Sequence, residues 1–287
     1  MKRIFFIIII LVVATSLNAQ NRWNILNNNT IRREISDSNI PHYDHIEMSG
    51  QQISAVIRWG VDEKGAFFEE RSLVFPMLRT IPNNTHASLM QRVATDILRL
   101  ISINGLTLQD EKVDYVELNG TMTVRSRYST QKEGATRLRR DADITMTRIL
   151  FPSTDKALFC ERYTIQNTDS QKTINIIIPD FYQELKTPAN QGVTGSYLIV
   201  GKTDINGSYT LKPQEELTFH VFFTAFREGE EPISAEGNEE YQKRMSLVQD
   251  SFVNSLILST PDEAINTEFA FAKIRAAESI YKTKACR

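Results

Sequence analysis

The densest run of chemically capable side chains is Pro41-His42-Tyr43-Asp44-His45-Ile46-Glu47. Two imidazoles and a carboxylate this close together can ligate a zinc-like ion. A spacing of three brings ligands together on a helix face, whereas Pro41 and the strand that follows point to a loop. Such a loop holds hydrogen-bonded histidines or offers hydroxyl-binding groups, and no metal site is assigned to it. A second group, Arg79-Thr80-Ile81-Pro82-Asn83-Asn84-Thr85-His86, directly follows an apolar strand. Planar guanidinium and amide groups match paired hydroxyls of the kind sugars carry. A hydrogen-bonded turn centred on Pro82-Asn83 is the competing reading. The basic stretch Arg125, Arg127, Lys132, Arg137, Arg139 and Arg140 is interleaved with Glu133, Asp141 and Asp143, the pattern of a solvated hairpin.

Missing motifs narrow the chemistry further. The chain has no Gly-rich phosphate loop, His-Glu-x-x-His, Gly-x-Ser-x-Gly or Cys-x-x-Cys. The pairs Glu69-Glu70, Glu215-Glu216 and Glu239-Glu240 are adjacent, and adjacent strand residues point to opposite faces, so none makes an acid/base couple. No catalytic residue, cofactor or metal is therefore assigned.

The elements that must position these groups begin after a leader. Lys2-Arg3, the apolar run 4–13 and the ending Leu17-Asn18-Ala19-Gln20 form a secretory signal peptide cut after Ala19. The run falls short of the about 20 residues that span a bilayer. No Cys follows it, so no lipid anchor is expected, and the mature chain is expected in the periplasm or outside the cell. The 33 basic residues, two of them in the leader, are outnumbered by 35 acidic ones, which gives no support to a nucleic-acid partner. The two cysteines, Cys160 and Cys286, do not make a disulfide framework.

From 53 to about 227 the chain reads as β-runs separated by turns. The runs are 53–61, 67–78, 86–95, 97–103, 113–118, 121–128, 144–151, 157–167, 173–178, 196–202, 208–211 and 216–226. Asp62-Glu63-Lys64-Gly65 and the Asn-Gly pairs at 104, 119 and 206 mark turns. So many runs exceed one small sheet, and two packed antiparallel sheets bury their apolar faces. The period then changes: Tyr241, Met245, Val248 and Phe252 share one face of a helix that ends near Asn254. Thr260 as N-cap, Pro261 and Glu263 open a last helix, with Ile265, Phe269, Ala272, Ala276 and Ile280 as an apolar stripe. The expected fold is mainly β. A large antiparallel two-sheet β-sandwich (20–235) follows the signal peptide (1–19), and a linker helix and connector (236–259) lead to a final helix (260–287).

That order of elements, with Leu256-Ile257-Leu258-Ser259-Thr260-Pro261-Asp262-Glu263-Ala264-Ile265-Asn266 leading into Phe269-Ala270-Phe271-Ala272-Lys273, resembles the front half of bacterial six-hairpin glycosidases, the glucoamylase, glycogen-debranching and trehalase-like group. The resemblance implies that 260–287 is the first helix of an incomplete (α/α) barrel. The catalytic acids would lie in the missing barrel, and the sandwich would be a non-catalytic part of a secreted glycoside hydrolase. Its partners would be carbohydrate and that barrel domain. Sandwich loops in the group lean over the active-site mouth, which makes His42, Asp44, His45, Arg79, Asn83, Asn84 and His86 candidate substrate contacts. A stand-alone carbohydrate-binding or surface-interaction sandwich, or a structural envelope protein, are the other expectations.

Overall fold

A computed structural model describes residues 23–82, 87–131 and 140–282. The leader, Cys286 and the candidates Asn83, Asn84 and His86 lie outside the described residues. Among the described residues seventeen strands precede two helices. They are β1 Asn24–Asn27, β2 Thr30–Glu34, β3 His42–Ser49, β4 Ser54–Val61, β5 Phe67–Arg79, β6 Ser88–Val93, β7 Ser102–Ile103, β8 Leu106–Thr107 and β9 Gln109–Leu118. Then come β10 Met122–Gln131, β11 Arg140–Pro152, β12 Leu158–Asn167, β13 Ile174–Ile178, β14 Tyr182–Lys186, β15 Tyr197–Thr203, β16 Gly207–Leu211 and β17 Glu216–Arg227. The helices are α1 Gly237–Phe252 and α2 Glu263–Glu278.

The strands form antiparallel sheets in a β-sandwich arrangement, but the sheets number three rather than two. One has nine strands in the order β1-β2-β9-β10-β11-β12-β17-β15-β14, and two have four, β3-β4-β5-β6 and β16-β13-β7-β8. All three contribute to one apolar core, with Trp59 and Phe75 from one sheet, Ile176 from another and Tyr163 and Phe219 from the largest. The division arises at 97–103, which is not the single strand its apolar run implies. Asp96 accepts a hydrogen bond from the Leu98 amide and caps a 3₁₀ turn at Ile97–Leu100. The chain then enters β7, which pairs with β13 and not with β6.

The centre of the large sheet is buried on both faces, and this explains the unbroken apolar run at 221–223. Phe151, Leu158, Cys160 and Phe222 form a second small core on the outer face beneath Tyr241 of α1. Strands covered on both sides lose their alternation in just this way.

The helices are pinned to the sandwich by buried charge. Arg244, fully buried, donates to the carbonyls of Gly120 (2.6 and 3.0 Å) and Ser49 (3.0 Å) and pairs with Glu278 of α2. Glu240, also fully buried, accepts from the Ser153 hydroxyl at 2.5 Å and pairs with Lys156 at 2.7 Å. Close approach is built into the glycines: a Cβ on Gly237 would stand 2.1 Å from the His220 ring, and one on Gly120 2.5 Å from Val248.

The end of the chain differs from its sequence reading. The N-cap of α2 is Asp262, which accepts from the Ala264 amide at 2.9 Å. Thr260 instead exchanges hydrogen bonds with Asn266, its amide and hydroxyl both donating to the Asn266 side chain. The helix stops at Glu278. Its buried face is Asn266, Thr267, Ala270, Ile274 and Glu278, while the expected stripe of Ile265, Ala272, Ala276 and Ile280 faces outward beside half-buried Phe269. Among the described residues no helix is long and apolar enough to cross a membrane.

Candidate functional site

The first predicted group lies on strand β3, not in a loop, because residues 42–49 pair along their whole length with β4. Alternation therefore splits the group between two faces. His42 and Asp44 share the parity of inward-facing Ile46 and Met48, though Asp44 stays exposed; His42 is buried against Trp59, with ring centroids 5.1 Å apart, and its Nε2 lies 3.8 Å from Asp44 Oδ2. His45 is on the outer face, opposite Arg58. It shares that face with Tyr43 and Phe68, whose exposed rings are 5.6 Å apart. Gly60 lies between them because a Cβ there would strike the Phe68 ring at 2.4 Å. Among the described residues no group of three or more His, Cys, Asp or Glu side chains is arranged to hold a metal ion.

Arg79 ends β5 at the other extreme of the sandwich. Phe67 and Arg79 are twelve residue steps apart, about 40 Å along the strand, so the two predicted groups do not converge. The backbone at Arg79 is laced to the 188–195 loop: Val193 N and the Tyr197 hydroxyl both donate to its carbonyl, at 2.9 and 2.5 Å, and Ile81 N donates to Gln191. Arg79 Nη1 reaches the Ser88 hydroxyl at 3.3 Å. Met77, Arg79, Thr194, Tyr197 and Arg227 line a 250 Å³ groove there. The loop needs Gly192, since a Cβ would stand 1.9 Å from the Gly195 carbonyl oxygen.

A polar cleft of 480 Å³ opens at the Phe67 end, lined by Phe67, Glu69, Arg71, Glu111, Tyr128 and Arg148 among others. Strand alternation aims Glu69 and Arg71 inward on the same parity as Phe67 and Leu73. Arg71, 1% exposed, pairs with both Glu69 and Glu161 and donates to the Thr95 carbonyl at 3.1 Å. The Tyr163 hydroxyl donates to Glu161 at 2.7 Å. Next to them Arg148 pairs with Glu111, donates to the Tyr128 oxygen at 2.6 Å, and holds its guanidinium carbon 4.8 Å from the centre of the Phe67 ring.

Burial governs the protonation of this cluster. It pushes the Glu161 carboxyl up to about 7, against the attraction of Arg71 and with the help of the Glu69 charge. Burial also opposes the charge on Arg71, but Glu161 and Glu69 outweigh it and hold the guanidinium above its ordinary value. Arg148 is lowered by burial, and Tyr128 and Tyr163 are raised by it. Glu69 and Glu161 thus clamp one guanidinium between them, an arrangement that neutralises charge rather than presenting a proton donor and a nucleophile across a substrate.

Sequence reading missed this cluster, although period two carried the signal. Charged residues stand on the apolar parity in Phe67-x-Glu69-x-Arg71-x-Leu73 and in Phe159-x-Glu161-x-Tyr163-x-Ile165. No known family model matches the chain, and no curated protein has a matching sequence.

Proposed function

We propose that the chain is the non-catalytic β-sandwich portion of a secreted glycoside hydrolase acting on oligo- or polysaccharides, joined through α2 to a helical domain that carries the catalytic acids. One observation supports this reading most. Helix α2 is fixed by the Arg244–Glu278 pair and by Ala270 and Ile274 packed on Val248 and Phe252, and it leaves Ile265, Ala272 and Ala276, with Ile280 just past its end, turned to solvent. A stripe of this kind needs a partner, and a helix of an (α/α) barrel supplies one of matching shape. The Arg79 groove would provide saccharide contacts, its Pro76, Met77, Val193 and Tyr197 lining offering an apolar wall to the carbon face of a sugar ring.

The test has two arms. The chain alone should release no chromophore from a panel of aryl glycosides, and an oligosaccharide of the parent substrate should slow hydrogen exchange at 79–82 and 192–194. Turnover by the chain alone, or unchanged exchange there with every oligosaccharide tried, overturns the reading.

A stand-alone carbohydrate-binding sandwich is the second reading, favoured by exposed Tyr43 and Phe68 beside His45 and Arg58 on an outer sheet face. Aromatic faces stack on the apolar side of sugar rings. Tyr43→Ala should then abolish saccharide retention while Arg79→Met leaves it unchanged; the opposite pattern removes this reading.

A further inference from the structure

The cleft at the Phe67 end is the strongest feature that the Arg79 groove and the outer face leave unexplained. Its 480 Å³ lies within the about 300–1,000 Å³ of small-molecule sites. Most of its buried polar atoms are satisfied within the protein. Glu69 Oε2, an acceptor, and Arg148 Nε, a donor, are buried without a hydrogen-bond partner, whereas Arg71 Nε faces the Glu161 carboxylate. The Glu69 and Arg148 side chains are 9% and 4% exposed. Leaving either group unsatisfied destabilises the fold, so a ligand that satisfies both has a built-in reward.

The pair defines what fits. A hydroxyl both donates and accepts, so the hydroxyls of one ligand can receive the Arg148 Nε hydrogen and give a hydrogen to Glu69 Oε2. An anion meets Glu69, Glu111, Asp96 and Asp110, and a cation meets Arg71, Arg99 and Arg148, whereas a neutral polyol meets neither repulsion. Ala66, Leu98 and the Phe67 ring give the same cleft an apolar wall for the carbon face of such a ligand.

We infer that this cleft is a binding site for a neutral saccharide or cyclic polyol, separate from the Arg79 groove and independent of it. The two lie at opposite ends of β5, so occupancy of one does not exclude the other.

Calorimetric titration of the whole chain with neutral monosaccharides and a cyclic polyol tests the assignment, with glucuronate and glucosamine as charged controls. Wild type is expected to bind at least one neutral probe more tightly than either charged control. Glu69→Gln should weaken that binding about tenfold, the worth of one hydrogen bond to a charged acceptor. Because Glu69 is buried, a second variant guards against a folding defect. Ala94→Trp, on the exposed rim of the cleft, leaves the charge cluster in place and should abolish binding by filling the mouth, while Arg79→Met should leave it unchanged. Absence of any binding by neutral probes, binding that survives Ala94→Trp, or preference for a charged control overturns the inference. Loss with Arg79→Met but not Ala94→Trp would reject the cleft and leave the Arg79 reading standing.

Discussion

Replacing Glu161 with Gln isolates the surplus charge of the core. Glu69 and Glu161 share the one guanidinium of Arg71, so their cluster holds one negative charge more than its partner neutralises. Burial raises the Glu161 carboxyl from 4.5 to about 7. The folded chain therefore holds this proton more tightly than the unfolded chain does. The stabilisation is complete below about pH 4.5 and is lost as the pH rises through about 7. At about 1.4 kcal/mol per pH unit, the loss over that window is about 3 kcal/mol. Glutamine keeps an acceptor for the Tyr163 hydroxyl, removes the titration, and leaves Arg71 matched by Glu69. Urea unfolding across the window should show wild-type stability falling relative to Glu161→Gln by about that amount. Asp169, Glu228 and Glu236 are lowered by hydrogen bonds at sites the substitution does not touch, so their contributions cancel in the difference. Parallel pH profiles for the two proteins would refute the surplus-proton argument.

Other outcomes follow from the joint and the core. Arg244→Met leaves buried Glu278 with Arg275 alone and frees the Gly120 and Ser49 carbonyls, and should lower stability by about 3 kcal/mol, with α1 and α2 losing hydrogen-exchange protection before the sandwich does. Gly237→Ala drives a methyl group into the His220 ring and should cost about 1–3 kcal/mol in chemical denaturation. Cys160 is fully buried and its thiol is pushed well above the ordinary value by burial, so thiol reagents should modify it only at the rate of global unfolding. Ile265→Glu with Ile280→Glu should reduce self-association in sedimentation velocity without changing the unfolding midpoint, since both side chains are exposed.

The strands were legible where one face is wet and turns are explicit. The hairpin of β4 and β5 follows from alternation and Gly65, which sits at φ 84° in the turn, and β10, β11, β12 and β17 follow from period two. Strand β3 was hidden because its outer face carries Tyr43, His45 and Glu47 and its inner face begins with a histidine and an aspartate, so hydropathy gives no alternation to read. Strand β14 is exposed along its length and held at the edge of the sheet by pairing with β15, with Gln183 bonded to Thr95 and Lys186 paired with Glu228. On α2 the sequence marks Ile265, Phe269, Ala272, Ala276 and Ile280 as an apolar stripe, and all but half-buried Phe269 are exposed. The helix docks through Ala270 and Ile274 on Val248 and Phe252 and through Glu278 on Arg244, partners fixed by tertiary structure rather than by pattern. The cleft was missed because Glu69 was weighed against its neighbour Glu70, whereas its partners Arg71 and Glu161 are two residues away and on another strand.

The central claim, a saccharide-binding sandwich without catalytic acids of its own, is tested most directly by one calorimetric titration of the chain with oligosaccharides. Binding without turnover predicts heat that saturates with added ligand and then ceases. Heat that continues in proportion to protein concentration, the signature of hydrolysis, or no saturating heat with any saccharide would contradict the account.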